Sequence, residues 1–396
     1  MDTKDLFDTL AAEEQPPTTV DVRRAVASGR AARRRRRTAL AGGALAVCLA
    51  GTFTWYGLEG QVGNDRTATV VRETPDGAVL PASGVGPLSH AYYDWCGEKW
   101  HPGQGASFAD RDCVQWHVVT RTGETYRMPE AASVYLDQTE ANYMNTAAPL
   151  EITPDGRRIA YYSAEEERFA VRDLASGRIW LTPRTFPEEE MVKSASLIKL
   201  SPEGRYLTLN GRLRAVVDME TGKVTDVPQG WQPMSVARGG TRVIVTDDMS
   251  RYGLLEGGRV RPFTTPEESS LSHLAPDGRT VAYMDGHVSS ADGTRQTRLD
   301  DTIVTVDATT GKVLRRVKFR DAPEGFRPWR IGSWHGSAEV LVTAVVTDRP
   351  QWERKPTQPA RIGETAYAID VTTGKVRKVG TYTFRGWSGA VAIPGM

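Results

Sequence analysis

The stretch SPEGRYLTLNGRLRAVVDMETGKVTDVP, residues 201–228, decides how this chain folds. It opens on a tight turn: proline presets φ, the acidic side chain accepts from backbone amides, and glycine takes the positive φ. An arginine follows, then the short apolar run of a strand buried on both faces. Next comes a second apolar run, AVVD, which ends in an aspartate and is followed by METGK and a more polar run, VTDVP. Two runs bracketing a short glycine-containing loop read as a β-hairpin. The alternation Val-x-Asp-x-x-Thr-Gly-Lys-Val does not suit a helix.

Both halves recur along the chain. The turn half returns as TPDGRRIAYYS (153–163) and APDGRTVAYMDG (275–286), and in degenerate form as ARGGTRVIVTDD (237–248) and WHGSAEVLVTAVV (334–346). The hairpin half returns as FAVRDLASGRIWLTP (169–183), IVTVDATTGKVLRRV (303–317) and YAIDVTTGKVRKVG (367–380), with looser copies GLLEGGRVRPF (253–263) and HVVTRTGETYRMP (117–129). Each unit therefore holds four strands, one before the turn, one after it, and two in the hairpin. Gly204, Gly240 and Gly278 are 36 and 38 residues apart, and a four-stranded unit of about 40 residues is the size of a propeller blade. Radial packing suits blades with polar outer hairpins better than a stacked solenoid does. Six hairpin glycines, Gly123, Gly177, Gly222, Gly258, Gly311 and Gly374, predict an all-β, six-bladed β-propeller over residues 87–396. Seven blades is the alternative, if residues 66–95 supply further strands. The segment WSGAVAIPG (387–395) reads as a first strand with no blade after it. Pairing it into the first blade would close the ring and remove an exposed sheet edge.

These paired motifs resemble the WD40-like repeats of TolB-type periplasmic propellers, in which a Ser-Pro-Asp-Gly turn precedes the second strand. The resemblance covers roughly residues 110–395 and implies fold; it implies little about activity, because propellers carry many functions. The layout of an Arg-rich tail, one apolar segment and a repeat domain also resembles uncharacterised membrane proteins of high-GC actinobacteria.

Ahead of the repeats, residues 38–58 (TALAGGALAVCLAGTFTWYGL) contain no charge. As a helix they would span ~32 Å, matching a bilayer core of about 30 Å. Trp55 and Tyr56 stand at the far end, where aromatic rings favour the membrane–water boundary. Arg33 to Arg37 stand at the near end and resist translocation. The segment is therefore expected to anchor the chain in the plasma membrane through its lipids. Residues 1–37 would stay in the cytoplasm, residues 59–86 would form a linker, and the propeller would be extracytoplasmic. A cleaved signal peptide fits poorly: the preceding region is long and Trp-Tyr is a poor cleavage site. A lipoprotein signal at Cys48 is opposed by Val47, where a small residue is wanted.

The 396-residue chain has a net charge of +1, but residues 1–37 carry nine basic and six acidic groups, leaving −2 for the remainder. That balance lacks the electrostatic footprint of a nucleic-acid binder, and no nucleic-acid partner is expected. Cys96 and Cys113 are expected to form a disulfide closing a loop of about 17 residues, contributing up to about 3 kcal/mol. His90, His101 and His117 flank this loop at spacings that match no familiar zinc pattern, so no metal is assigned. The acidic pairs Asp247-Asp248 and Asp300-Asp301 are read as solvated turn caps. No Gly-x-Ser-x-Gly elbow or phosphate-binding glycine loop occurs, so no catalytic or cofactor-binding residue is assigned and no cofactor is expected. Tryptophans cluster at Trp95, Trp100 and Trp116 and again at Trp329, Trp334, Trp352 and Trp387. They are read as inter-blade core, with a ligand-binding rim as the competing role. The expected function is a binding or sensing module for an envelope protein or ligand. The alternative is an enzyme at the propeller axis, lactonase- or lyase-like.

Overall fold

The computed structural model describes residues 78–94, 115–135, 146–194, 197–247, 251–263, 265, 270–285, 301–323, 326, 328, 330–347, 361–385 and 391–396. Blade 1 contains β1 (Leu88–Asp94), β2 (Gln115–Thr120) and β3 (Thr125–Met128). A two-residue pair, β4 (Val134–Tyr135) with β5 (Thr146–Ala147), lies between it and blade 2 in sequence. Blade 2 is β6 (Leu150–Ile152), β7 (Arg158–Ser163), β8 (Arg168–Asp173) and β9 (Ile179–Leu181). Helix α1 (Glu188–Ser194) follows, with three glutamates in its first turn, where the helix dipole favours negative charge. Blade 3 is β10 (Ile198–Leu200), β11 (Tyr206–Leu209), β12 (Ala215–Asp218) and β13 (Lys223–Asp226). Blade 4 is β14 (Gln232–Val236), β15 (Arg242–Thr246), β16 (Tyr252–Glu256) and β17 (Arg259–Phe263). Blade 5 is β18 (Thr280–Asp285), β19 (Thr302–Asp307) and β20 (Val313–Lys318). Blade 6 is β21 (Arg330–His335), β22 (Glu339–Thr347), β23 (Arg361–Asp370) and β24 (Val376–Arg385). The last strand, β25 (Val391–Ala392), pairs with β1 and completes blade 1 in the order β25-β1-β2-β3.

The chain is a six-bladed β-propeller. Its closure by the last strand follows the expectation drawn from residues 387–395. The seven-bladed alternative is not realised. Residues 78–80 lie instead along the outer edge of blade 1, where Leu80 N donates to Arg127 O and Arg127 N donates to Ala78 O. This covers a sheet edge that would otherwise be open. The chain then crosses to blade 2, with Gly84 N and Val85 N donating to Ala175 O and Leu174 O. Buried Arg172 ties this crossing down through Glu130 at 2.6 Å and through the carbonyl of Pro81.

Radial packing shows most directly in the core, which among the described residues divides into six apolar clusters, each joining two neighbouring blades. Leu150 and Ile152 of blade 2 pack with Trp116 and Val118 of blade 1. Ile198 and Leu200 repeat this against Tyr162 and Phe169, and Val236 does so against Val216. Leu271 and Leu274 pack on Ile244, Ile331 and Trp334 on Ala282 and Ile303. Val391 and Ile393 close the circle on Leu341 and Ala368. No blade can bury both of its faces alone, so ring closure is the condition for a continuous core.

Among the described residues, blade 5 departs from the four-stranded plan. Its innermost segment runs beside β18, with Leu271 bridged to Tyr283, yet Ala282 N donates to the hydroxyl of Ser272 at 2.8 Å. A side chain here takes over part of what a main-chain ladder would do.

The two sequence motifs meet inside each blade. The arginine after the turn reaches the acidic residue that ends the third strand: Arg158 to Asp173 at 3.5 Å, Arg205 to Asp218 at 2.7 Å, Arg242 to Glu256 at 2.8 Å, and Arg279 to Asp307. The same turns also touch the following blade. Arg158 lies 3.8 Å from Glu220, Gly239 N donates to Glu203 at 2.9 Å, and Arg242 donates to Gly278 O at 3.0 Å. All of these turns lie at one end of the ring, because alternate connections of an antiparallel blade share an end. The strand ends joined by residues 95–114, 286–300 and 348–360 lie at the other end.

The clasps predict an acid-sensitive fold. The hydrogen bond from Arg205 holds the Asp218 carboxyl down at about 2, and Arg279 depresses Asp307 further. Carboxyls depressed in the native state contribute stability above the ordinary carboxylate range and lose it as pH falls through the native value. Urea midpoints are expected to drop between about pH 4 and pH 2. In Arg205→Ala/Arg279→Ala that pH dependence should flatten; an unchanged slope would remove the clasps from the account.

Candidate functional site

The innermost segments carry a repeated three-residue pattern. Leu150 and Ile152 turn into the layer shared with the preceding blade, which leaves Glu151 on the opposite side at the axis. Lys199 is placed the same way between Ile198 and Leu200. The equivalent residues are His273 in blade 5, Met234 in blade 4 and Ala392 in blade 1, each less buried than its neighbours. Glu151 and Lys199 bond directly, Nζ to Oε1 at 2.6 Å, across the blade 2–3 boundary. Lys199 Nζ also donates to Met396 O at 2.8 Å. His273 is tied to blade 6 through its main chain, its amide donating to Gly332 O at 3.0 Å. Arg330 lies 3.4 Å from Glu364.

Burial dominates the electrostatics of this layer. It raises Glu151 above the ordinary glutamate range, against the opposing pull of Lys199 and Arg330. Glu364 is raised for the same reason, with Arg330 opposing. Burial, then the charge of Lys199, lowers His273 to about 3. Burial therefore favours the neutral imidazole. The carboxylate and ammonium beside it are engaged with each other. The arrangement is suited to hydrogen bonding. Among the described residues no group of three or more His, Cys, Asp or Glu side chains could hold a metal ion.

The residues singled out from sequence lie elsewhere. His90 and His117 are separated by Tyr92, whose ring stacks at 6.0 Å on the first and 5.2 Å on the second, with Tyr382 of blade 6 at 5.3 Å from His90. Burial lowers His90 to about 4 and lowers His117 as well. They belong to an aromatic stack where blade 6 meets blade 1. His101, Cys96 and Cys113 lie outside the described residues, as do Trp95, Trp100, Trp329, Trp352 and Trp387. Trp116 and Trp334 are inter-blade core, their indoles donating to Ala132 O and His273 O. Asp247 caps its own turn by accepting from Arg251 N at 2.8 Å, but it is buried and not solvated as expected.

Sequence reasoning passed over the axial residues, although a signal exists. Glu151, Lys199 and His273 each stand five residues before the turn glycine of their blade, Gly156, Gly204 and Gly278. Glu151 and Lys199 are polar residues inside otherwise apolar inner strands, and His273 holds the same place in the innermost segment of blade 5.

No family model matches the sequence, and no curated protein sequence matches it. Among solved structures, the chain is similar to hydrazine synthase of Kuenenia stuttgartiensis at 17% identity and a TM-score of 0.38, over 62% of this chain and 69% of that one. It is also similar to a chain of a nidogen/laminin complex at 11% identity and a TM-score of 0.37, over 78% and 99%. An oligogalacturonate lyase from Vibrio parahaemolyticus gives 13% identity and a TM-score of 0.37, over 74% and 79%. Similarity this low transfers no activity, and the architecture rests on the strand pairing itself.

Proposed function

We propose that the ring is the extracytoplasmic binding or sensing module of a membrane-anchored protein, engaging an envelope protein or a ligand. The observation that supports this best is the state of the axial layer. Its lysine pairs with the glutamate and also donates to a main-chain oxygen, that of Met396, which is the kind of bond a charged side chain makes to a bound chain. Groups arranged this way hold a partner in place. The anchor is argued from residues 38–58, which lie outside the described residues; among those described, no helix is long and apolar enough to cross a membrane.

Two measurements test the reading. Protease added to intact cells should digest the propeller and leave a protected fragment containing residues 1–58; a fully protected chain would refute the topology. The full chain extracted from membranes should retain a stoichiometric protein or small molecule, identified by mass spectrometry alongside metal analysis. Turnover of a lactone or a uronate polymer, lost in His273→Ala, would replace the binding reading with the enzymatic one.

A further inference from the structure

The last segment does more than pair with β1. The main-chain ladder is closed by two residues of β25, Val391 opposite Tyr92 and Ala392 opposite Ala91, while the side chains of Ile393 and Met396 join the apolar seam between blades 6 and 1. Beyond them Ile393 to Met396 leave the ladder but stay buried, Ile393 at 2% exposure and Met396 at 8%. They cross the inner layer and bond to three other blades. Gly395 N donates to Ile152 O of blade 2 at 3.0 Å, and Ser333 N of blade 6 donates to Gly395 O at 2.6 Å. Lys199 of blade 3 donates to Met396 O at 2.8 Å, while Met396 N closes a turn onto Ile393 O at 3.0 Å. Every one of these bonds uses the main chain of residues 393–396. The segment is a tight turn whose other three bonds run to the surrounding blades, and main-chain bonds of that kind give affinity without reading side chains, leaving selectivity to shape.

The shape is restrictive. A Cβ on Gly332 would meet Gly395 O and Met396 Sδ at 2.5 Å, and one on Gly395 would collide with the Ser333 hydroxyl. The groove therefore admits glycine at the Gly395 position and seats an apolar side chain at the next. We propose that the axial groove bounded by β6, β10 and β21 is a peptide-binding site, filled in cis by residues 393–396 as a tethered occupant whose main-chain oxygen at Met396 is read by Lys199. Tethering gives the occupant a high effective concentration, so a free peptide enters only when the tail is displaced. This deepens the binding-module reading, on which it rests, by naming a short glycine-containing apolar peptide as the ligand class at the axis.

The test uses the full chain carrying Gly395→Val, which dislodges the tail, and a labelled synthetic peptide with the sequence of residues 391–396, followed by fluorescence anisotropy. The variant should bind this peptide at least tenfold more tightly than the wild type does. Adding Glu151→Met and Lys199→Met together, which removes both axial charges, should weaken binding at least tenfold. A peptide with valine at the glycine position should not bind. A folded Gly395→Val chain that ignores the peptide, or binds it regardless of Lys199, overturns the proposal. Should Gly395→Val not fold, hydrogen exchange decides the matter in Glu151→Met/Lys199→Met. The Gly395 and Met396 amides should then exchange at least tenfold faster than in the wild type, with β7 and β8 unchanged; equal rates overturn it. An envelope partner held elsewhere on the ring, with no peptide binding, would sink this inference and leave the binding module standing.

Discussion

Gly374→Ala is expected to destabilise the protein by roughly 3 kcal/mol, while Gly222→Ala costs about 1. The contrast is sharp because the local sequences match: both glycines stand in Thr-Gly-Lys-Val, with φ of +76° and +73°. Each pays the strain of a left-handed backbone, of order 1–2 kcal/mol for a residue with a Cβ. At Gly222 the added methyl meets nothing within 4 Å. At Gly374 it runs into the carbonyl oxygen of Lys318, main chain that cannot swing aside. The turn of blade 6 lies against the end of β20 there, with Arg320 N donating to Gly374 O at 2.8 Å and Val376 N to Arg320 O at 2.9 Å. Relieving the clash separates these groups, at about 1 kcal/mol per hydrogen bond lost. Urea unfolding followed by tryptophan fluorescence measures both costs. Penalties equal within about 0.5 kcal/mol would mean that the blade 5–6 contact contributes nothing.

That pair of glycines also marks how far the sequence could be read. The turn and hairpin motifs are local chemistry, so they exposed the strand order, the number of blades and the closing strand. Identical motifs could not reveal which turn is crowded, because crowding depends on the neighbouring blade. The same limit hid the partnership between Arg279 and Asp307, 28 residues apart, although each stands inside one of the repeated motifs. Blade 5 was expected to have four ordinary strands; nothing local to Ser272 announces that its hydroxyl will stand in for a ladder bond. The axial site was missed for a third reason. Glu151, Lys199 and His273 come from different blades, and only ring geometry brings them to one layer. The histidines that did attract attention, His90 and His117, were conspicuous by proximity in sequence. A tyrosine separates them in space.

Lys199→Met should unfold far more readily at neutral pH than at mildly acidic pH. The substitution leaves Glu151 in the inner layer without its ammonium partner; the two side chains are 13% and 27% exposed. Breaking a fully buried pair costs 3–5 kcal/mol, and partial exposure reduces this to roughly 2–3 kcal/mol. Glu151 is already raised by burial with Lys199 opposing, so losing the lysine raises it further. A carboxyl raised in the native state favours folding while protonated and loses that contribution as pH climbs through its native value. The penalty should therefore be largest near pH 7 and shrink as pH falls toward 5. That direction is opposite to the one set by Asp218 and Asp307, which lies lower on the pH scale. Glu151→Met/Lys199→Met removes both charges and should recover most of the loss, since an ion pair replaced by apolar side chains of similar size is often neutral or stabilising. Urea midpoints at pH 5 and pH 7 for the wild type, the single variant and the double variant measure this. A single variant whose penalty does not depend on pH, or a double variant no better than the single, would show that Glu151 and Lys199 do not act as a pair at the axis.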